Sequence, residues 1–249
     1  MSALSPVHTI YDQMSEGLML HTGATPEEAR KRVIEMIRLV GISAPEQRVD
    51  EYIFQLSGGM RQRVMIAMAL ICNPRVLIAD EPTTALDVTI QAQVLKLIKR
   101  MQSEFNLSLV LITHDLGVIA HVTEYVYVMY LGQIMEEGPV SEVLVTPKHP
   151  YTRDLLKSIP KIRDRNVALS AIRGSVPDAY SVPKGCPYAS RCANMIPGVC
   201  TEARPARTQV GDNHFARCYL YSKETADTGG GPDVPGSLHP KGGTSDVRN

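Results

Sequence analysis

The stretch Leu56-Ser57-Gly58-Gly59-Met60-Arg61-Gln62-Arg63, followed by Val76-Leu77-Ile78-Ala79-Asp80-Glu81-Pro82, decides the fold of this chain of 249 residues. Ser57 is a good N-cap, and apolar residues at helical spacing follow it, so the first stretch predicts a helix that begins beside Ser57. The second stretch is a short continuous apolar run that ends at two adjacent carboxylates. Such a run predicts a parallel strand buried on both faces.

The residues around these two stretches extend the pattern. A second apolar run over 107–113 ends at His114, and a third region, 125–135, reads as a hairpin interrupted at Gly132. Strands that alternate with helices over 56–145 predict a parallel α/β layer. Before it, Thr25, Pro26 and Glu28 mark the start of a helix.

Ser57, Gly58 and Gly59 carry chemistry as well as a fold. Two glycines let a polyphosphate approach the backbone, and a helix N-terminus adds free N–H groups and partial positive charge. Taken alone, the three residues fit an ordinary capped helix equally well. Their position before an amphipathic helix and a buried strand favours phosphate binding.

Asp80 and Glu81 end the first predicted strand, and His114 ends the second. Adjacent strand residues point to opposite sides, so the two carboxylates have different tasks. We expect Asp80 to hold Mg²⁺ and Glu81 to orient and deprotonate an attacking water. Two solvated acids before a turn at Pro82 are the alternative, and a polar cap is the alternative for His114.

Together these motifs resemble the second half of an ABC-type ATPase. Leu56 to Arg63 resembles its signature motif, Asp80 and Glu81 its Walker B end, and 84–87 its D-loop. The resemblance implies ATP and Mg²⁺ as cofactors. It implies catalytic roles for Glu81 and for His114 as sensor of the γ-phosphate. It also implies five nucleotide- and Mg²⁺-binding residues: Ser57, Gly58, Gly59, Asp80 and Asp87.

Four further segments resemble the oligopeptide and dipeptide importer branch of these ATPases, and the resemblance runs from residue 1 to about 220. They are 1–7, 83–93, 148–152 and 185–192. The resemblance implies an ATP-hydrolysing subunit that energises peptide import, peripheral on the cytoplasmic face of the membrane. Its implied partners are a second ATPase subunit, transmembrane permease subunits and, indirectly, an extracytoplasmic peptide-binding protein. Nickel or another small solute stays open as the cargo.

The chain departs from that family at its beginning. None of the 249 residues forms a Gly-x-x-x-x-Gly-Lys-Ser/Thr phosphate loop, or P-loop. We therefore expect an N-terminally truncated, incomplete ABC-type domain that is inactive alone. In the family each ATP lies between one chain's P-loop and another chain's signature motif, so the chain is expected to complete a partner's site.

Composition excludes some classes of protein. The formal net charge is zero, with 26 basic and 26 acidic residues, which gives no support to nucleic-acid binding. A chromosome-maintenance or translation-type ABC protein would share the signature motif but not the segments typical of peptide importers. Apolar runs are shorter than the roughly 20 residues that span a bilayer, so we expect a cytosolic or peripheral protein.

The predicted organisation has four parts. They are a helical subdomain remnant (1–55), the signature, Walker B and switch-histidine half of the ATPase domain (56–145), a Cys-rich C-terminal region (146–221) and a disordered tail (222–249).

The chain has five cysteines, of which one lies in its first half and four lie close together near its C-terminus. Cys72 lies in an apolar helical run and is expected to be a buried small hydrophobe. The others follow a C-x5-C-x7-C-x17-C spacing, unlike the C-x2-C pairs of zinc ribbons. Members of the importer family resemble that arrangement, which implies a [4Fe–4S] cluster, with structural Zn²⁺ and free or disulfide-linked thiols as alternatives. The cluster ligands would be Cys186, Cys192, Cys200 and Cys218.

A second functional hypothesis is a non-catalytic metal-binding module that completes a paralogue's ATP site.

Overall fold

The computed structural model describes residues 4–84, 86–159, 171–178 and 183–222. The chain divides into two units, one up to Thr123 and one from Glu124 onward. The predicted boundaries at 55, 145 and 221 stay predictions. Apart from Ser222, the predicted tail lies outside the described residues.

The first unit contains six helices and two strands among its described residues, with a 3-10 turn at Ile53–Gln55. In chain order they are α1 (Ile10–Thr22), α2 (Pro26–Leu39), α3 (Pro45–Arg48), α4 (Gly58–Leu70), β1 (Val76–Asp80), α5 (Val88–Phe105), β2 (Ser108–Ile112) and α6 (Leu116–Val122).

The predicted start of α2 is confirmed. The Thr25 N–H donates to Glu28 Oε2 at 2.8 Å, and the Glu28 N–H donates back to Thr25 Oγ1 at 3.3 Å. This reciprocal pair satisfies two backbone donors that the first helical turn cannot use. Thr9 and Asp12 make the same capping box at the start of α1.

The predicted parallel pairing of the two strands is confirmed, since β1 and β2 pair in parallel with Leu77 opposite Leu109. The prediction that both faces are buried is wrong. Leu77 belongs to the core and Leu109 packs against it, whereas Ile78 is 66% exposed and Val110 48% exposed. Among the described residues only the face of Leu77 and Leu109 packs on the helices, so alternate apolar side chains stay in solvent.

The prediction for Cys72 is also wrong, because its side chain is exposed. Helix α4 ends at Leu70, and Asn73 takes a left-handed conformation with φ of 51°. The chain therefore turns away from the core just where helical periodicity had placed Cys72 on the buried side.

The second unit contains a four-stranded antiparallel sheet in the order β3-β4-β6-β5. The hairpin of β3 and β4 was predicted, but β5 and β6 were not, because strands of four and three residues carry no clear alternation. A 3-10 turn lies at Ala189–Arg191. The elements are β3 (Tyr125–Tyr130), β4 (Gln133–Pro139), α7 (Val140–Val145), α8 (Pro150–Lys157), β5 (Thr208–Gly211) and β6 (His214–Ala216).

Candidate functional sites

The predicted phosphate-binding segment forms the N-terminus of α4. Ser57 is the N-cap, and its Oγ accepts from the Met60 N–H at 3.4 Å. A Cβ on Gly58 would meet nothing within 4 Å, so the first turn is open on that side. A Cβ on Gly59 would lie 3.0 Å from Ile90 of α5, so Gly59 allows the close approach of the two helices.

Polar side chains of the same segment, not predicted as site residues, hold this helix end in place. Arg61 Nε donates to the carbonyls of Ile53 and Leu56, each at 3.0 Å, and so locks the turn before the helix. Gln62 Nε2 donates to the Pro82 carbonyl at 2.6 Å. The sequence signal was the run of three polar residues, Arg61 to Arg63, between the apolar positions Met60 and Val64.

Gln62 thus ties the N-terminal half of α4 to the segment at the end of β1, where Asp80 and Glu81 lie. Asp80 is exposed. Glu81 has a positive φ of 48°, uncommon outside glycine, and its N–H donates to the Ile112 carbonyl at 2.9 Å.

The structure brings Glu81 and His114 together although they are 33 positions apart. His114 Nδ1 lies 2.8 Å from Glu81 Oε1, and Thr84 Oγ1 donates to Glu81 Oε2 at 2.6 Å. The Thr84 hydrogen bond, followed by the His114 contact, lowers the pKa of the Glu81 carboxyl. Glu81 in turn raises the pKa of His114. The result is an exposed Glu–His pair whose carboxylate is held at both oxygens.

Asp87 serves as the N-cap of α5, with its Oδ1 accepting from the Ile90 N–H at 2.9 Å. A cap of this kind satisfies a free donor of the first turn. Its predicted role in nucleotide binding stays a prediction, as do the roles of the other site residues.

In the second unit, the four predicted metal-binding cysteines line one small cavity of about 10 Å³. Space of this size holds about one water molecule. The other lining side chains are mostly apolar, and they include His149, Ile196 and Leu220.

Each of the four sulfur atoms has a backbone N–H directed to it. The N–H of the residue two positions downstream hydrogen-bonds Cys186, Cys192 and Cys218 and lowers the pKa of each thiol. The Ile196 N–H donates to Cys200 Sγ at 3.3 Å. Burial outweighs these bonds, raising the pKa of Cys186 to about 12 and those of Cys192 and Cys218 above their usual range.

The approach of the chain segments at the cavity depends on Gly185. The Cys186 N–H donates to the Cys200 carbonyl at 2.8 Å. A Cβ on Gly185 would overlap the same carbonyl oxygen. As the sulfurs are placed, no group of three or more His, Cys, Asp or Glu side chains among the described residues is gathered closely enough to hold a metal ion.

A buried carboxylate supports the entrance to α8. Glu136 accepts from the Lys148 N–H at 2.6 Å, from the His149 N–H at 2.9 Å and from His214 Nε2 at 2.7 Å. Its side chain is 0% exposed and that of His214 is 1% exposed. The sequence offered only a charged residue just after the predicted hairpin, so this network was missed.

Comparisons with known proteins agree with this geometry. The ABC transporter family model matches residues 2–84, and the model for the oligopeptide/dipeptide transporter C-terminal region matches residues 135–200. The structure of CbiO1 from Clostridium perfringens, part of the ABC transporter complex CbiONQ, matches with a TM-score of 0.51. It is 31% identical and covers 58% of this chain and 55% of that one. The fold is that of an ABC ATPase cassette, with parallel and antiparallel sheets.

Relatives of known function indicate which group of ABC ATPases the chain resembles. The dipeptide transport ATP-binding protein DppD of Bacillus subtilis (strain 168) is 49% identical over 88% of this chain and 65% of its own length. The oligopeptide transport ATP-binding protein AppD of the same strain is 49% identical over 91% of this chain and 69% of its own length. The chain belongs to the family of ATP-binding proteins of oligopeptide/dipeptide ABC transporters.

The family prediction is therefore confirmed. The chain spans about two thirds of the length of these two relatives, 65% and 69%, and the predicted truncation stays a prediction. The relatives give no support to a purely metal-binding module. Not one helix in the described ranges combines the length and apolar character that crossing a bilayer requires.

Proposed function

We propose that this chain is an ATP-binding subunit that energises peptide import across the cytoplasmic membrane, working from its cytoplasmic face with permease subunits. The observation that carries the proposal is the contact of Glu81 with His114 beside Asp80 at the ends of two parallel strands. A carboxylate, a histidine and a second acid at such a strand end form a suitable site for phosphoryl transfer to water.

The geometry favours distinct roles for these groups. Asp80 presents an exposed carboxylate, the type of ligand that Mg²⁺ prefers. Glu81 is held at both oxygens, and its lowered pKa makes it a weaker base. We infer that Glu81 mainly orients the attacking water, and that His114 must leave Glu81 to contact a γ-phosphate.

The signature segment has a separate role in this proposal. Ser57, Gly58 and Gly59 present an open helix N-terminus, which suits a phosphate group bound by another subunit's P-loop. The 249 residues contain no P-loop motif. We propose that they do not hydrolyse ATP by themselves and that they complete a site on a second ATP-binding subunit.

A mixed dimer tests this division of roles. The partner is a full-length relative such as AppD, with its own signature motif disabled, so that turnover requires the signature motif of this chain. Ser57→Arg is expected to abolish the Mg²⁺-dependent ATPase activity, and Glu81→Gln is expected to retain most of it. Equal losses from both variants would contradict the proposal. So would ATPase activity of the isolated chain that Glu81→Gln removes.

We also propose that the cysteine cavity holds a [4Fe–4S] cluster, with Zn²⁺ as the competing occupant. The donor set fits, because four thiols line one cavity and each sulfur receives a backbone N–H, which stabilises sulfur in its anionic form. Burial raises the pKa values of Cys186, Cys192 and Cys218, so these thiols would need a bound cation to be held as thiolates. Binding would require the sulfurs to draw closer than their present positions.

Anaerobic purification tests the cluster. The protein is expected to be brown, with iron and acid-labile sulfide in about a four-to-four ratio. Serine at any of the four cavity cysteines should bleach it. The matched control is Cys72→Ser, because Cys72 is exposed and lies in the other unit. Colourless protein with stoichiometric zinc would transfer the site to structural Zn²⁺.

A further inference from the structure

The turn that carries His114 is fixed by the side chain of the next residue, Asp115. Asp115 is the N-cap of α6, and its Oδ1 accepts from the N–H groups of Gly117 and Val118 at 2.8 and 3.2 Å. Its own N–H donates to Thr113 Oγ1 at 3.1 Å. Capping uses one carboxylate oxygen, so the second oxygen is available for a contact outside the helix.

That second oxygen binds a side chain of α5. Gln91 Nε2 donates to Asp115 Oδ2 at 3.1 Å, although the two residues are 24 positions apart. An ionised carboxylate only accepts hydrogen bonds, which fixes the orientation of the amide. Both residues are half-buried, so water competes with this bond less than it does at the surface. The bond therefore fastens the turn after β2 to α5.

The first turn of α5 is itself well anchored. Asp87 caps it, and the Gln91 N–H donates to the Asp87 carbonyl at 2.8 Å. Ile90 of the same turn lies against Gly59 of α4, where a Cβ would come within 3.0 Å. Gln91 thus projects from a helix end that is held by its cap and by a neighbouring helix.

The position of the His114 backbone matters for the pair with Glu81. The Glu81 carboxylate has hydrogen bonds with both the His114 ring and the His114 backbone. The His114 side chain is 82% exposed, so packing does little to hold it. A movement of the turn would therefore lengthen both contacts.

We propose that Gln91 is a positioning residue for His114, because through Asp115 it holds the turn in the place from which His114 reaches Glu81. The helix that packs against the signature segment then also sets the resting position from which His114 would move to a γ-phosphate. This use of the pair in ATP hydrolysis rests on the proposed function. The link from Gln91 to the pair rests on the contacts alone.

Gln91→Met is the decisive variant, since methionine has a similar length and helix propensity but no N–H donor. The pKa of His114, measured by NMR titration of the full chain without nucleotide or Mg²⁺, reports the pair, because Glu81 raises it and Glu81→Gln gives the unpaired value. Gln91→Met is expected to remove most of the difference between those two values. Gln93→Met is the matched control on the same helix, because the Gln93 amide accepts from Arg63. It should leave the difference unchanged.

A double-mutant cycle separates positioning from a direct effect on the ring. In the Glu81→Gln background, Gln91→Met should cause no further shift, because the pair that it positions is already broken. An equal shift in both backgrounds would mean that the charge of Asp115, which also raises the pKa of His114, acts directly, and would overturn the inference. A lower melting temperature with an unchanged His114 pKa would show a structural role only and would overturn it as well.

This inference and the proposed function fail separately. A mixed dimer without ATPase activity would count against the proposed function and leave the link from Gln91 to His114 intact. A His114 pKa that does not respond to Gln91→Met would overturn the link alone. If Gln91→Met does not fold, Gln91→Asn replaces it, because its amide is one methylene shorter and falls short of Asp115.

Discussion

Each unit of the chain contains a glutamate in contact with a histidine, and the two pairs are almost identical in distance. Glu81 and His114 are 2.8 Å apart, with side chains 39% and 82% exposed. Glu136 and His214 are 2.7 Å apart, with side chains 0% and 1% exposed. Solvent screens the first pair, so it adds little to stability and can open for a ligand. The second pair is shielded from water, so removal of either partner leaves a buried polar group without compensation and lowers the stability of the fold.

Burial, more than distance, thus separates a pair suited to chemistry from a pair suited to architecture. The exposed pair lies at strand ends, where a nucleotide can reach it. The buried pair anchors the turn before α8, and so the His149 ring at the cysteine cavity.

The largest expected effect comes from breaking the buried pair. Glu136→Gln removes the charge from a carboxylate that accepts three hydrogen bonds and turns one oxygen into a donor facing donors. The free energy of unfolding should fall by about 3–5 kcal/mol, as for other broken buried pairs. Urea denaturation checks this value. Glu81→Gln is the control, and a comparable loss there would undo the contrast between the pairs.

The next effect concerns the packing around the cysteines. Gly185→Ala places a methyl group against the Cys200 carbonyl, so the backbone must shift. The expected cost is about 1–3 kcal/mol, together with loss of most of the iron of the proposed cluster. Denaturation and metal analysis of the same sample measure both.

Gly17→Ala is the control for that substitution, because a Cβ there meets nothing within 4 Å and the residue lies inside α1. It should stabilise the chain by roughly 0.5–1 kcal/mol. Unchanged stability and metal content in Gly185→Ala would show that the two segments do not approach as described.

A smaller effect is expected at the open helix end of the first unit. Ser57→Ala removes the N-cap of α4 and should cost about 1 kcal/mol. Ser57→Asn restores a capping side chain and should recover most of the loss. Thermal denaturation distinguishes the two variants, and equal melting temperatures would argue that Ser57 has no capping role.

The smallest effect is the titration of the exposed pair. Glu81 raises the pKa of His114 above 6.5, and Glu81→Gln should return it toward that value in an NMR titration without Mg²⁺. The stabilising contribution of His114 is complete below its unfolded pKa and is lost as the pH rises through the folded pKa. The contribution of Glu81 is lost as the pH falls through its own lowered pKa. An unshifted His114 in the wild type would mean that the pair is open in solution.

Much of the first unit was predictable because its signals are local. The capping box at α2 and the N-cap at Ser57 follow from residues within a few positions of each other. The parallel pairing of β1 with β2 follows from the alternation of strands with helices along the chain. The convergence of Glu81 and His114 was predictable as well, since parallel strands end at one edge of a sheet.

Other features depend on what packs against a residue, which periodicity does not contain. Ile78 looks as apolar as Leu77 in the sequence, but only Leu77 is covered by the helices. Cys72 continues the apolar pattern of α4 although the helix has already ended. Strand β6 pairs with the edge of β4, and β5 pairs with β6. The residues of these two short strands lack the alternation that would predict them from the sequence.

The sequence by itself determined the family, the nucleotide-facing motifs and the identity of the four cysteines, because residue type and spacing carry those signals. Only the tertiary structure decided that these cysteines share one cavity with His149, and that Glu136 is buried while Glu81 is exposed. Burial and convergence arise from contacts between segments distant in the chain. Whether a carboxylate serves the fold or stays accessible to a ligand therefore depends on how far folding removes it from water.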